Sequence, residues 1–351
     1  MILPADAPGS IAAGADAVRA GKLLGLPTET VYGLGADADN AAAVAKIFAA
    51  KGRPADHPLI VHLSAHDGGM SGVAHFAAQV PPFAQQLMSA FWPGPLTLIL
   101  PRRPGVGTAA AGGQASIGLR CPAHPTAQAV LRALRDAPPG QSPVWGIAAP
   151  SANRFGRVSP TTAAHVRSEL GSDLLILDGG PCDLGIESTI IDCTRGVPVL
   201  LRPGSISRAQ VEQACGCALL SNDELEAQQH VLAPKASGTL ESHYAPNAKL
   251  RLMDAKALQT AVNLLSDVMY PQGANTQPTI AVYARSPLKK VPLSILLRRM
   301  PDDAEATAHQ LFAVLRGFDD AAVKLIWVET PPDALEWEGV ADRLQRASVG
   351  H

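Results

Sequence analysis

The chain has 351 residues, 47% of them hydrophobic and 4% aromatic, enough for about two domains with a full core; wholesale disorder and an extended base-stacking platform are excluded. With 29 Lys and Arg against 31 Asp and Glu the net charge is −2, which argues against a coat for nucleic acid or an anionic membrane and leaves room for a local basic pocket.

The first residues, MILPADAPGS, lack a basic region and carry Pro4, Asp6 and Pro8, unlike a secretory signal. No run of 18 apolar residues could span a membrane, so a soluble cytoplasmic protein is expected. An apolar stretch, Leu23–Leu26, leads into Pro27-Thr28-Glu29-Thr30-Val31-Tyr32-Gly33-Leu34-Gly35. Asn40 can cap a helix over Ala41–Ala50, whose Ala43, Val44, Ile47 and Phe48 fall at helical spacing. Short apolar runs bounded by Gly, Pro or polar residues predict buried strands at Leu59–Leu63, Leu96–Leu100, Ile117–Leu119, Val144–Ala149, Leu174–Leu177, Thr189–Ile191 and Val199–Leu201. Helices fit Thr126–Leu134, Thr161–Leu170 and Arg208–Ala214, with Ser159-Pro160 read as the cap and first residue of the second. Residues 1–220 therefore read as one large, twisted, mixed α/β sheet domain.

Residues 221–248 are polar, with Pro, Gly and Ser, and read as an inter-domain linker. Beyond it, strands at Leu250–Met253, Ile280–Ala284 and Leu325–Val328 alternate with helices at Ala255–Met269, Ala304–Phe318 and Val340–Ala347. That rhythm predicts a smaller, parallel, Rossmann-like α/β domain over 249–351. The fold class is α/β throughout.

Familiar chemical signatures are mostly missing. GxxxxGK[ST], GxSxG and HExxH do not occur. Gly105-Val106-Gly107-Thr108-Ala109-Ala110 fits GxGxxA, but prolines precede it and Gly112-Gly113 follows, so it reads as a mobile loop. The five cysteines, Cys121, Cys182, Cys193, Cys215 and Cys217, form no CxxC pair; a disulfide framework or structural zinc site is not expected, and the CxC at 215–217 reads as two small residues near a helix end.

The informative features are polar and cationic groups at element ends. Lys51-Gly52-Arg53-Pro54 places two cations on a bend after a helix, Ser151-Ala152-Asn153 follows a strand and Pro150, and Arg120 and Arg202 end strands. A near-neutral protein that gathers cations in one cleft can hold a triphosphate or carboxylates.

PTETVYGLG, KGRP followed by HPLIVH, SIGLR, APSAN, GIEST and LRPG occur in this order, and His243-Tyr244-Ala245-Pro246 lies in the linker. Together they resemble the YrdC-like threonylcarbamoyl-AMP synthase family in its two-domain form, over nearly the whole chain. His57 stands where that family commonly has Asn. The resemblance implies an enzyme, a nucleotidyltransferase, that joins L-threonine, bicarbonate and ATP into L-threonylcarbamoyladenylate and pyrophosphate, for N6-threonylcarbamoyladenosine in tRNA. It implies Mg²⁺ arriving with ATP and no metal ligated directly by the protein. A downstream threonylcarbamoyl-transfer enzyme would consume the product, weak tRNA contact is compatible with it, and no membrane is involved.

By the same resemblance Lys51 and Arg53 are catalytic, facing bicarbonate and the ATP phosphates. Thr30, His62, Arg120, Ala149 (through its backbone) and Ser188 hold threonine, with Thr28 and Tyr32 shaping the pocket. His57, Ser116, Ser151, Asn153, Ser159 and Arg202 line the nucleotide, and the linker crosses the first domain's cleft so that His243 and Tyr244 close over it. Two rival readings are a carbamoyl-adenylate-forming enzyme for another acceptor, whose hydrogenase-maturation relatives carry further segments this chain lacks, and an RNA-binding module without catalysis, disfavoured by the low aromatic content and net charge.

Overall fold

Eleven strands build the first sheet: β1 (Ile2–Pro4), β2 (Leu24–Leu26), β3 (Gly33–Asp37), β4 (Ile60–His62), β5 (Leu96–Pro101), β6 (Ser116–Arg120), β7 (Ile147–Ala148), β8 (Leu175–Asp178), β9 (Thr189–Asp192), β10 (Val199–Arg202) and β11 (Leu220–Ser221). Their spatial order is β1-β8-β2-β3-β7-β4-β6-β5-β9-β10-β11, with parallel and antiparallel pairs mixed. The coordinates are a computed structural model that describes residues 1–229, 233–238, 243–266 and 278–349. They divide into a unit of Met1–Phe155 with Ser159–Thr239 and a second of Gly156–Val158 with Leu240–His351.

The helices of the first unit are α1 (Ser10–Arg19), α2 (Ala41–Lys51), α3 (Met70–Phe76), α4 (Pro82–Phe91), α5 (Pro125–Arg135), α6 (Ala163–Leu170), α7 (Arg208–Cys215) and α8 (Asn222–Gln229). One apolar cluster joins Val44, Ile47 and Phe48 of α2 to Leu34, Leu98 and Leu119; another joins Val18 of α1 and Leu131 of α5 to Leu24 and Leu177. Start and stop signals are chemical. Asn40 Oδ1 accepts from the Ala43 amide at 3.0 Å, and Gly52 ends α2 at φ 63°. Ser207 and Gln210 cap α7 reciprocally.

Several boundaries differ from the sequence reading. α6 is capped by Thr162, whose Oγ1 accepts from His165 N at 3.2 Å, because Ser159–Thr161 pair elsewhere: the Pro160 carbonyl accepts from Tyr32 N at 2.9 Å and that of Thr161 from Cys182 N at 3.0 Å. α1, α3 and α4 carry no strong cap signal and were missed. The 105–110 loop is indeed non-helical but pinned: Gly107 N donates to Asp39 Oδ1 at 2.8 Å, and Leu59 N to the Ala110 carbonyl at 2.7 Å. Gly204 of LRPG is a close approach, since a Cβ there would fall 2.4 Å from Thr189 N. The span read as linker begins with β11 and α8, and Lys235–Ser237 lies on the first unit, with Ala236 among Ile60, Ile99 and Ile190.

The second unit is a parallel sheet of β12 (Lys249–Met253), β13 (Ile280–Ala284), β14 (Ile295–Arg299) and β15 (Leu325–Glu329), ordered β12-β15-β13-β14. Its helices are α9 (Ala255–Ser266), α10 (Ala304–Asp320) and α11 (Glu338–Val349). β14, an edge strand with two arginines, was not expected. The end of the helix expected to reach Met269 lies outside the described residues. Among the described residues, no helix is long and apolar enough to cross a membrane.

Candidate active site

Adjoining strands set the first group of side chains. His62 ends β4 opposite Arg120 on β6, and Arg120 is in turn opposite Thr97 on β5. Ser188, just before β9, meets Thr97 with the hydroxyl oxygens 2.8 Å apart. The turn from β2 to β3 supplies Thr28, Glu29 and Thr30; Thr28 Oγ1 donates to the Val31 carbonyl at 2.6 Å and closes the turn. Arg120 spans the group: Nη1 donates to Thr30 Oγ1 at 2.8 Å, Nε to the Gly94 carbonyl at 3.2 Å, and Nη2 lies 2.7 Å from Glu29 Oε1. All these side chains are buried. The Arg120–Glu29 contact is an ion pair without hydrogen-bond alignment: Nη2, both Glu29 oxygens and His62 Nδ1 have no hydrogen-bond partner among the described residues. Such a set is arranged for a polar guest.

Burial, then the Arg120 charge, hold the His62 imidazole down at about 3, so it is neutral at working pH. The unfolded chain protonates this group near its ordinary 6.5. Between those values the unfolded state binds the extra proton, so stability falls by about 1.4 kcal/mol per unit as pH drops through that window. His62→Gln, polar and unable to titrate, is expected to move the acid-unfolding midpoint to lower pH in a circular-dichroism titration. An unchanged midpoint would show that the imidazole is not desolvated.

A second group gathers cations. Lys51, the last residue of α2, is buried and donates from Nζ to the Ser151 and Asn153 carbonyls, each at 2.5 Å. Burial, then the neighbouring Arg53 charge, push its ammonium well below the usual lysine range. Arg53 Nη2 donates to the Pro58 carbonyl at 2.9 Å and to Ser237 Oγ at 3.1 Å, and its guanidinium lies 5.6 Å from the Phe155 ring. His57 meets the same ring edge-on at 5.5 Å, and burial, then Arg53, hold it below its ordinary value.

Arg202 links the two groups. Its Nε and Nη2 donate to the Ser188 carbonyl at 3.1 and 2.9 Å, and Nη1 donates to the Ser237 carbonyl at 2.9 Å. Ser159 Oγ donates to Glu187, beside Ser188. Ser116 and Gly118 share a cleft with Lys235–Ser237 that retains only about 10 Å³, room for about one water.

Of the residues expected at the site, the structure thus joins Thr30, His62, Arg120 and Ser188 on one side and Lys51, Arg53, His57, Ser151 and Asn153 on the other. The Ala149 amide is spent on the Ile60 carbonyl at 2.9 Å, which leaves its carbonyl as the backbone group to offer. Tyr32 shapes the β2–β3 turn from behind, its hydroxyl donating to the Gly180 carbonyl at 2.7 Å. His243 and Tyr244 belong to the second unit, where Tyr244 stacks on Phe312 at 5.5 Å, with His243 edge-on at 4.1 Å and the Arg343 guanidinium 5.4 Å from its ring. Sequence reasoning missed Thr97, Glu187 and Ser237 and gave Glu29 no role. Glu29 lies inside the PTETVYGLG motif and Glu187 inside GIEST, so the signal was present for those two.

Residues 16–204 match the family described as Telomere recombination, Sua5/YciO/YrdC, and residues 206–349 match the threonylcarbamoyl-AMP synthase C-terminal domain. A threonylcarbamoyl-AMP synthase of Bacillus subtilis is 36% identical over 97% of this chain and 93% of its own length. That of Pyrococcus abyssi is 36% identical over 94% and 92%. Among solved structures, P. abyssi Sua5 complexed with L-threonine aligns with a TM-score of 0.81 at 34% identity, covering 97% of this chain and 94% of that one. A doubly substituted form of the same protein aligns at 0.83 with 32% identity, over 100% and 96%. With both segments matched and relatives aligned from end to end, the chain belongs to the threonylcarbamoyl-AMP synthase family.

Proposed function

We propose that this chain is the L-threonylcarbamoyladenylate synthase of its cell, acting in the cytoplasm. It joins L-threonine, bicarbonate and ATP, releases pyrophosphate, and supplies the adenylate to a transfer enzyme that modifies tRNA. The observation that carries this reading is the buried Arg120–Thr30–Glu29 group, held through Ser188 and Arg202 to a second cluster rich in cations.

Arg120 would take the amino-acid carboxylate, with Thr30, His62 and Ser188 as polar neighbours. Every reactant is anionic or becomes so, and the barrier lies in bringing like charges together. Arg53, Lys51 and Arg202 lower it by standing fixed where charge develops. Lys51 also fixes the Ser151–Asn153 turn against the nucleotide, with His57, Ser116 and Ser159 as further lining. The nucleotide-side groups are cations, hydroxyls and amides, donors suited to phosphate oxygens. An accompanying Mg²⁺ fits as an ion held by the phosphates, where it would neutralise their charge.

Pyrophosphate release with ATP and bicarbonate, measured across amino acids, tests the reading. A site that hydrogen-bonds a hydroxyl rejects analogues lacking it, because its own buried groups go unpaired. Threonine is expected to exceed valine by ~10⁴-fold or more in kcat/KM, with serine the nearest competitor. Comparable turnover of valine would remove threonine as the substrate.

A further inference from the structure

Glu29 stands beside Arg120 in the first unit, and the scheme above gives its side chain no chemical step. Glu29 is 6% exposed, and neither carboxylate oxygen takes a hydrogen bond among the described residues. Its backbone is fixed, the carbonyl accepting from Leu184 N at 2.8 Å, so the unmet demand lies in the side chain. A buried carboxylate with only an unaligned cation 2.7 Å away is costly unless something else completes it.

A free amino acid is a zwitterion. If Arg120 takes its carboxylate, an anion beside Arg120 is the natural seat for its ammonium. Resting on the synthase reading, the geometry points to Glu29 as the residue that receives the substrate's ammonium and takes up the proton released when the carbamate forms. The step balances: R–NH₃⁺ and HCO₃⁻ give R–NH–COO⁻, H₂O and H⁺. The nitrogen–carbon bond forms and one carbon–oxygen bond of bicarbonate breaks. Of the two protons the nitrogen loses, one leaves in water and the other passes to the Glu29 carboxylate, then to solvent.

The neighbouring groups are poorer acceptors. His62 is held neutral at about 3 and stores no proton. Arg120 faces Glu29 as a cation, while His124, Cys121 and Cys182 also feel its charge. Burial lowers His124 and pushes both thiols up, Cys121 to about 12. Glu187 is engaged by Ser159.

Calorimetry of wild type and Glu29→Gln, with L-threonine and with the analogue whose ammonium is replaced by hydroxyl, tests the ammonium seat. Wild type is expected to prefer the amino acid by at least ~10-fold, Glu29→Gln to lose that preference with its fold intact, and Glu29→Asp to regain it. Turnover of Glu29→Gln should fall ~100-fold or more at neutral pH and recover as pH rises toward the amine's own pKa, because the substrate then arrives deprotonated. Equal preference in wild type and Glu29→Gln overturns the ammonium seat. A rate loss that higher pH does not relieve makes Glu29 only a positioning residue for Arg120 and overturns the proton role. If wild type releases no pyrophosphate with any amino acid, the synthase reading fails, while the binding comparison still decides where the ammonium sits.

Discussion

Lys51→Ala is expected to lower threonine-dependent pyrophosphate release by ~100-fold or more and to lower the melting temperature as well. As a helix-end cation, Lys51 would be worth only ~0.3–1 kcal/mol to the fold. The structure gives it a larger task, because its buried ammonium holds the Ser151 and Asn153 carbonyls. Removing it takes a buried donor from both carbonyls, a loss of ~1–3 kcal/mol each, and removes a charge whose loss from a catalytic site commonly costs ~2.7–4 kcal/mol. Arg53→Ala should cut turnover by at least ~10-fold with a smaller thermal effect, since Ser237 Oγ still donates to the Pro58 carbonyl at 3.0 Å. A coupled pyrophosphate assay beside a thermal melt separates the two. Near-normal values for Lys51→Ala in both would reduce Lys51 to a helix-end charge.

Arg202→Lys, which keeps the charge, is expected to lose ~100-fold or more in turnover and to loosen the 234–238 segment. A lysine cannot reproduce a planar fork that holds the Ser188 carbonyl twice and the Ser237 carbonyl once. Trypsin reads the segment directly, because Lys235 is exposed and its side chain, among the described residues, pairs with surface Asp56 at 2.6 Å. Cleavage there should be faster in Arg202→Lys than in wild type, and in wild type ATP with threonine should protect 235–246. Equal cleavage in all three conditions would make the segment a passive tether.

Much of this was legible in the residues alone. Strands bounded by Gly and Pro emerged because a fully buried run such as Leu96–Leu100 has no other use for its composition. A capped helix such as α2 emerged because Asn40 announces it. α1 and α4 did not, because Gly9 and Pro81 at their starts make no side-chain cap. At the candidate site, their places at element ends singled out Lys51, Arg53, Arg120 and Arg202 in the sequence alone. What periodicity could not show was that Lys51 is buried, that Thr97 faces Ser188, or that Ser237 comes back to Arg53 and Arg202. Those pairings join residues far apart in the chain, and only the sheet register creates them.

The chain leaves the first unit after Phe155, contributes Gly156–Val158 to the second, and returns at Ser159. Those three residues are held by late partners: Arg157 by Asn247 and Asp319, the Val158 carbonyl by Arg316, and the Gly156 carbonyl by Ala245 N at 2.8 Å. On a ribosome adding ~5–20 residues per second, the first unit is complete several seconds before Asp319 exists. During that interval the stretch between Asn153 and Ser159, both proposed above for the nucleotide, lacks these later partners. A nascent chain halted just after Thr239 is therefore a different object from the finished protein, with its core built and this loop still waiting for its anchor.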